Sequence, residues 1–175
     1  MKTLYLLRHA HAAPRELSLS DFDRPLEESG REEAEAVANY LLGKAIIFDF
    51  IMCSAALRTQ ETLEPLRKMS DDNAIEISID FYNISVEQIL NHLKKISDKR
   101  NTVLYIGHNP GIAFTVLKLA RVLPDVLMEG ITPATLIGFQ LPIDKWQNLE
   151  GGEGETIDVF QPSLPSRESS LSKVP

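Results

Sequence analysis

One cysteine in 175 residues rules out an internal disulfide framework, and Cys53 has no partner at Cys-x-x-Cys spacing for a structural zinc site. It sits in the apolar run Phe50-Ile51-Met52-Cys53, where a cysteine reads as a small buried hydrophobe rather than a nucleophile. Long hydrophobic runs are missing too. No stretch approaches the roughly 20 apolar residues of a membrane span, so no membrane partner is expected. The N-terminus offers one lysine and a short apolar run that meets Arg8, without the apolar core and cleavage site of a secretory signal, and the expected compartment is the cytoplasm. Positive charge is scarce: 18 Lys and Arg against 25 Asp and Glu give a net charge of −7, which argues against nonspecific nucleic-acid binding. An anionic ligand must therefore meet a locally positive pocket on an acidic protein. What is present is an ordinary globular composition, 43% hydrophobic and 25% charged, in a length that suits one domain closing its core without metal or disulfide staples.

Hydrophobic periodicity divides the chain into alternating strands and helices. Residues 2–7 form a nearly continuous apolar run, the pattern of a strand buried on both faces. A polar loop, residues 10–28, contains Asp21-Phe22-Asp23-Arg24-Pro25-Leu26. A helix is expected over 29–42, with Ala34, Val37, Ala38, Leu41 and Leu42 at helical spacing and Gly43 as its stop. Residues 48–53 read as a second buried strand, and Ser54 as the N-cap of a helix reaching Met69, with Arg58 in its first turns. A third strand over 76–81, a helix over 86–96 and a fourth strand over 102–106 follow. Asn109-Pro110 opens a helix to about Val122, because proline at the first helical position loses no needed hydrogen bond. Residues 135–141 and 156–161 are late strands separated by a loop with Gly151-Gly152-Glu153-Gly154 at its tip. Five serines and two prolines in 163–175 mark a flexible tail beyond a single domain of residues 1–162. The alternation implies an α/β class: a mostly parallel sheet covered on both faces, ending in a hairpin-like excursion.

Three strand-to-helix transitions deliver a basic or imidazole side chain to one rim: Arg8-His9 after the first strand, Arg58 after the second, His108 after the fourth. Ligands of open α/β sheets bind outside the carboxyl ends of the strands, where such side chains converge. Guanidinium forks match phosphate oxygens, stay charged and stabilise the charge on a transferring phosphoryl group. A neutral imidazole nitrogen can attack phosphorus, dividing a hard step into two easier ones, and neighbouring arginines depress its pKa. Taken singly, Arg8-His9 is compatible with a strand-terminal pair, Gly107-His108-Asn109-Pro110-Gly111 with a turn carrying a capping asparagine, and Arg58 with a solvated helical arginine. Their joint placement makes coincidence a poor explanation. Of the remaining residues, His11 reads as a loop histidine, His92 as solvent-facing, Asp23 and Arg24 as local braces of the long loop, and Trp146 as packing at the edge of the late strands. His9, His11 and His108 come with no clustered carboxylate or cysteine ligands for a metal.

Leu7-Arg8-His9-Ala10, Asp23-Arg24-Pro25-Leu26, Ser54-Ala55-Ala56-Leu57-Arg58-Thr59-Gln60-Glu61-Thr62 and Gly107-His108-Asn109-Pro110-Gly111 follow one another in the order seen in the histidine phosphatase superfamily. Over residues 3–162 the chain most resembles the SixA-type phosphohistidine phosphatases of that superfamily. The resemblance implies a three-layer α/β/α, phosphoglycerate-mutase-like fold, with His9 as the phosphorylated nucleophile and Arg8, Arg58 and His108 as the phosphate pocket. It also implies Ala10 and Asn109 as further substrate contacts, and no metal or other cofactor. Ala10 replaces the glycine more common in the superfamily, a departure shared with the SixA-type pattern.

A second departure is more informative. Many members carry an acidic residue after the third strand or beside the second histidine, as general acid for the leaving group; here those places hold Phe81-Tyr82-Asn83-Ile84-Ser85 and Asn109. A basic alkoxide leaving group benefits from such an acid by about 10²–10⁴-fold. An imidazole with a pKa near ~6.5 can take its proton from water and depart neutral. The expected substrate is therefore phosphohistidine on a phosphorylated protein. The alternatives are a small phosphate ester, hydrolysed by a broad phosphomonoesterase with Glu87 as acid, and a poorly active phosphoprotein-binding module. In the run Val86-Glu87-Gln88-Ile89, Glu87 itself reads as part of a solvated helix face.

Overall fold

Alternation along the strands builds the layers. In β1 (Lys2–Arg8), Leu4 and Leu6 join one apolar cluster while Tyr5 and Leu7 join the other. β4 (Thr102–Gly107) separates Val103 and Tyr105 from Leu104 and Ile106 in the same way, and β2 (Phe50–Ser54) separates Met52 from Ile51 and Cys53. Helix α1 (Glu28–Gly43) covers the second cluster with Ala34, Val37, Ala38 and Leu41, beside α2 (Leu57–Leu63) and a 3-10 helix at Glu64–Met69. The opposite face is covered by α3 (Val86–Leu93) and α4 (Gly111–Leu119) through Ile89, Leu93, Ile112, Val116 and Leu119, with Val126 of the short α5 (Val126–Glu129) alongside. The result is the expected three-layer α/β/α arrangement. This is a computed structural model, which describes residues 1–15 and 20–163; most of the expected tail, 164–175, lies outside the described residues.

Strand order is β3 (Ile75–Ser78), β2, β4, β1, β5 (Leu136–Leu141), β6 (Glu155–Phe160). The first four are parallel, and β5 and β6 return antiparallel, as the expected hairpin. In the β1–β4 register Arg8 lies opposite Gly107, and in the β2–β4 register Cys53 lies opposite Ile106. Each strand therefore ends at the same level, and the residues that follow share one rim.

Several expected boundaries move, for local reasons. The helix expected to run to Met69 divides at Leu63, because Pro65 has no N–H to continue an α-helix and the chain tightens into the 3-10 helix Glu64–Met69. Its N-cap is Ala56 rather than Ser54, which ends β2. β3 stops at Ser78 and a 3-10 turn, Ile79–Phe81, takes the next residues. Beyond Leu93, the N–H groups of Lys95 and Ile96 bond three residues back, so α3 ends in a tight turn instead of reaching 96. Pro110 is the N-cap of α4, which starts at Gly111 and ends at Leu119; Ala120 turns extended and bridges to Gly154. α1 ends near its expected stop, with Ala45 rather than Gly43 in the left-handed region at φ 53°. Trp146 is fully buried, and its indole N–H donates to the Arg100 carbonyl at 2.7 Å. His92 is half-buried, with its ring edge-to-face against Phe81 at 5.0 Å, rather than solvent-facing.

Gly30 is where α1 closes on the loop that follows the first histidine. A Cβ there would fall 2.1 Å from the His11 carbonyl oxygen, whereas one at Gly43 would meet nothing within 4 Å among the described residues. Gly30→Ala is expected to lower stability by about 1–3 kcal/mol in urea unfolding, with Gly43→Ala within about 0.5 kcal/mol of the parent. Equal midpoints for the two variants would show that this approach is not constraining.

Candidate active site

The backbone of Arg8 and His9 is clamped where β1 ends. Arg8 N–H donates to Thr135 O, His9 N–H donates to Gly107 O, and Ala134 N–H donates to both carbonyls, each at 3.1 Å. The His9 ring nitrogen Nδ1 lies 2.7 Å from the Ala10 carbonyl. A carbonyl can only accept, so Nδ1 carries the proton and Nε2 keeps its lone pair. Burial pushes the His9 pKa down to about 4 against the bond to Ala10, and Arg58, Arg8 and Arg24 push the same way.

His108 is buried beside it, with ring centroids 5.2 Å apart. Its Nε2 lies 2.8 Å from Ser54 Oγ and its Nδ1 3.2 Å from Arg58 Nη2. Guanidinium can only donate, so Nδ1 accepts and the ring proton sits on Nε2, toward Ser54. Burial, then the neighbouring His9 and Arg58, push its pKa down to about 3. Both rings are therefore neutral at pH 7.

The cations gather at the same rim. Arg58, the second residue of α2, is only 4% exposed, not a solvated helical arginine. Arg8 donates from Nη1 to the Ile131 carbonyl at 2.6 Å, while its Nε is buried and meets no partner among the described residues. Asn109 donates to the same carbonyl from Nδ2 at 3.0 Å, and its Oδ1 is buried with no partner among the described residues. Ala10 is buried, its N–H donating to Thr62 Oγ1 at 3.1 Å and its carbonyl taken by His9. What Ala10 does here is hold the ring of His9.

Four residues of the site carried no separate signal in the sequence. Ser54 has the composition of a helix cap, yet it meets His108. Thr62 accepts the Ala10 N–H and donates to the Arg58 carbonyl. Asp21 lies in the long loop beside Asp23 and Arg24, and its carboxylate accepts from Arg58 Nη2 at 3.0 Å and Tyr82 Oη at 2.7 Å. Tyr82 follows the 3-10 turn after β3; its ring stands edge-to-face against His108 at 5.3 Å and against Phe22 at 5.0 Å. The braces behave as expected. Arg24 donates to the Ala13 carbonyl and to Asp21, at 2.8 and 2.9 Å, and Asp23 accepts from Ser20. His11 bonds through its N–H and Nδ1 to the buried Glu33 carboxylate. Glu87 is exposed and its carboxylate accepts from Ser85 Oγ at 2.8 Å.

A neutral imidazole with one free nitrogen, set among guanidinium groups, can act as a nucleophile toward a phosphoryl group. Residues 4–110 match the histidine phosphatase superfamily, branch 1. The chain belongs to that superfamily. It thereby falls among phosphatases. An uncharacterized chloroplastic protein of Arabidopsis thaliana is 35% identical over 120 residues, 63% of this chain and 55% of that protein, so this histidine phosphatase spans about half that relative's length. An uncharacterized Mycobacterium leprae protein is 25% identical over 173 residues, covering 89% of this chain and 99% of its own. Among solved structures, a protein of Agrobacterium tumefaciens described as a candidate phosphohistidine phosphatase, SixA, superposes with a TM-score of 0.76 at 27% identity, over 92% of this chain and 98% of that one. Another so described, from Nakamurella multipartitia, gives 0.79 at 27% identity, over 93% and 97%. Among the described residues, no helix is long and apolar enough to cross a membrane.

Two outcomes follow for this histidine phosphatase. Protonation of His9 removes its lone pair, so the rate is expected to be lost as pH falls through about 4, the acid limb of kcat/KM lying there. An acid limb at the ordinary histidine value of about 6.5 would contradict the desolvated His9. Arg58→Ala is expected to lower kcat by about 10²–10³-fold in protein that still folds by circular dichroism. Arg58→Lys should recover only part of this, lacking the fork. Near-full activity of folded Arg58→Ala would remove this residue from the chemistry.

Proposed function

We propose that this histidine phosphatase hydrolyses phosphohistidine on a protein through a covalent phosphoenzyme at Nε2 of His9. The observation that carries the reading is the pairing of a neutral, oriented His9 with a site whose only directly bonded carboxylate, among the described residues, is ionised. Asp21 is held well below the usual carboxylate range by the Tyr82 hydroxyl, then by Arg24 and Arg58. It has no proton to give at neutral pH. Glu87 faces solvent and is engaged by Ser85, and Asn83 and Asn109 are not acids.

In the first step the His9 Nε2 lone pair forms a bond to phosphorus as the substrate's P–N bond breaks, its electron pair leaving with the substrate imidazole, which takes a proton from water. In the second, water attacks the phosphoryl group, the bond to Nε2 breaks with its electron pair returning to His9, and the proton lost by the attacking water neutralises the hydroxide left by the first step, so that His9 and inorganic phosphate are released. Arg58 and Arg8 stabilise the charge on the phosphoryl oxygens. The Nε–H of Arg8, which meets no acceptor among the described residues, would gain one from such an oxygen. His108, neutral and held by Ser54 and Arg58, forms the adjoining wall. The superposition on proteins described as SixA phosphohistidine phosphatases, over more than nine-tenths of this chain, supports the same substrate.

Without an acid, rates should depend steeply on leaving-group basicity: fast for a phosphohistidine protein, measurable for nitrophenyl phosphate, very slow for glycerol phosphate. Glu87→Gln should change none of them by more than about twofold, as for an exposed side chain outside the site. Comparable efficiency on alkyl esters, with a large selective loss in Glu87→Gln, would make Glu87 the acid and the enzyme a phosphomonoesterase.

A further inference from the structure

A guanidinium buried as deeply as Arg58 keeps its place only where an anion and hydrogen-bond acceptors meet it. Among the described residues one carboxylate does so, that of Asp21, reaching in from the loop between β1 and α1. Asp21 Oδ2 accepts from Arg58 Nη2 at 3.0 Å and from Tyr82 Oη at 2.7 Å, Oδ1 accepts from Arg24 Nη1 at 2.9 Å, and the Asp21 carbonyl accepts from Arg58 Nη1. The neighbouring Phe22 carbonyl accepts the Leu57 N–H at 3.0 Å, so the loop is fastened to the first residue of α2. Asp21 is thus fixed by Arg24, Tyr82 and the adjoining Phe22–Leu57 backbone bond, and it engages both terminal nitrogens of Arg58. One of those, Nη2, also donates to Nδ1 of His108 at 3.2 Å. That bond places the His108 proton on Nε2, toward Ser54.

We propose that Asp21 is a positioning residue for the phosphatase reaction: it sets the orientation of the Arg58 guanidinium and, through it, the tautomer of His108. It does not touch the reacting atoms. The proposal rests on the phosphatase reading of the site but not on phosphohistidine as the substrate. Asp21 is charged throughout the range in which His9 is neutral, so its contribution is constant there rather than a pH switch. A carboxylate so close to the arginines would also repel a phosphoryl dianion, and removing a mere competitor would tighten phosphate binding. The four converging bonds favour the supporting role, because a competitor gains nothing from being anchored by Arg24 and Tyr82.

The test is a double-mutant cycle joined to a spectroscopic readout. Asp21→Ala and Asp21→Asn are made in the parent and in Arg58→Ala, and turnover of nitrophenyl phosphate and inhibition by inorganic phosphate are measured. Asp21→Ala is expected to lower kcat by about 10–100-fold, the range for losing a partner that orients a functional group. KM should move by less than about threefold, and Asp21→Asn, which still accepts from Arg58 without the charge, should lose less. In the Arg58→Ala background the same change should cost nothing further, because the residue it acts through is gone. Nitrogen-15 NMR of His108 should show the Nε2–H tautomer in the parent and a mixture in Asp21→Ala. Equal losses in both backgrounds, an unchanged tautomer, or tighter phosphate inhibition with higher turnover would each overturn the proposal. If Asp21→Ala does not fold, the isosteric Asp21→Asn carries the same comparison. If the parent turns over no phosphate substrate, the phosphatase reading fails, and the tautomer measurement still decides for or against Asp21.

Discussion

The parallel pairing of β1 with β4 is the constraint on which the site depends. Six residue pairs in register, ending at Arg8 opposite Gly107, bring two strands a hundred residues apart in sequence to a common end. The His9 N–H to Gly107 carbonyl bond extends that register one residue past the strand, and the two imidazoles come to lie 5.2 Å apart. A one-residue slip would turn every side chain of β1 to the opposite face. It would send Leu4 and Leu6 into the wrong apolar cluster and His9 away from His108. Because the strands are buried on both faces, the packing that stabilises the sheet also enforces the geometry of the chemistry.

Desolvation then does two jobs. It keeps both histidines neutral, with pKa values near 4 and 3, and it strengthens each polar contact around them. Burying Arg58 in the same place is costly, and the cost is offset by Asp21 and by the acceptor nitrogen of His108. The loop that carries Asp21 is in turn braced by Arg24, by Tyr82 and by the Phe22–Leu57 backbone bond. An acidic chain with a net charge of −7 thereby presents a small cationic nest, of Arg8, Arg24 and Arg58 around two neutral rings.

Much of the fold was legible because buried strands and amphipathic helices leave strong periodic signals. The runs at Leu4–Leu7 and Val103–Ile106, and the stripe Ala34, Val37, Ala38, Leu41, led to the α/β class and to the rim where Arg8, His9, Arg58 and His108 meet. Less visible were features that depend on partners far away in the chain. Nothing near Ile131 marks its carbonyl as the acceptor for Arg8 and Asn109. Ser54 has the composition of a cap, and only the β2–β4 register turns it toward His108. Nothing in the sequence sets Asp21 apart from Asp23, because the contact that does so is with Arg58, 37 residues on. Helix ends were misplaced where a proline or a tight turn overrode propensity, as at Pro65 and after Leu93.

The central claim is that phosphorus is carried on one nitrogen of one side chain. The proton on Nδ1, held by the Ala10 carbonyl, leaves only Nε2 free. Rapid quenching during turnover of a phosphohistidine protein, followed by peptide mapping and phosphorus-31 NMR of the denatured protein, reads both the residue and the nitrogen. The account predicts an acid-labile, base-stable phosphate on His9 at Nε2, absent from His9→Ala. A phosphate on Nδ1, on His108 or on another residue, or one that persists in His9→Ala, would contradict it.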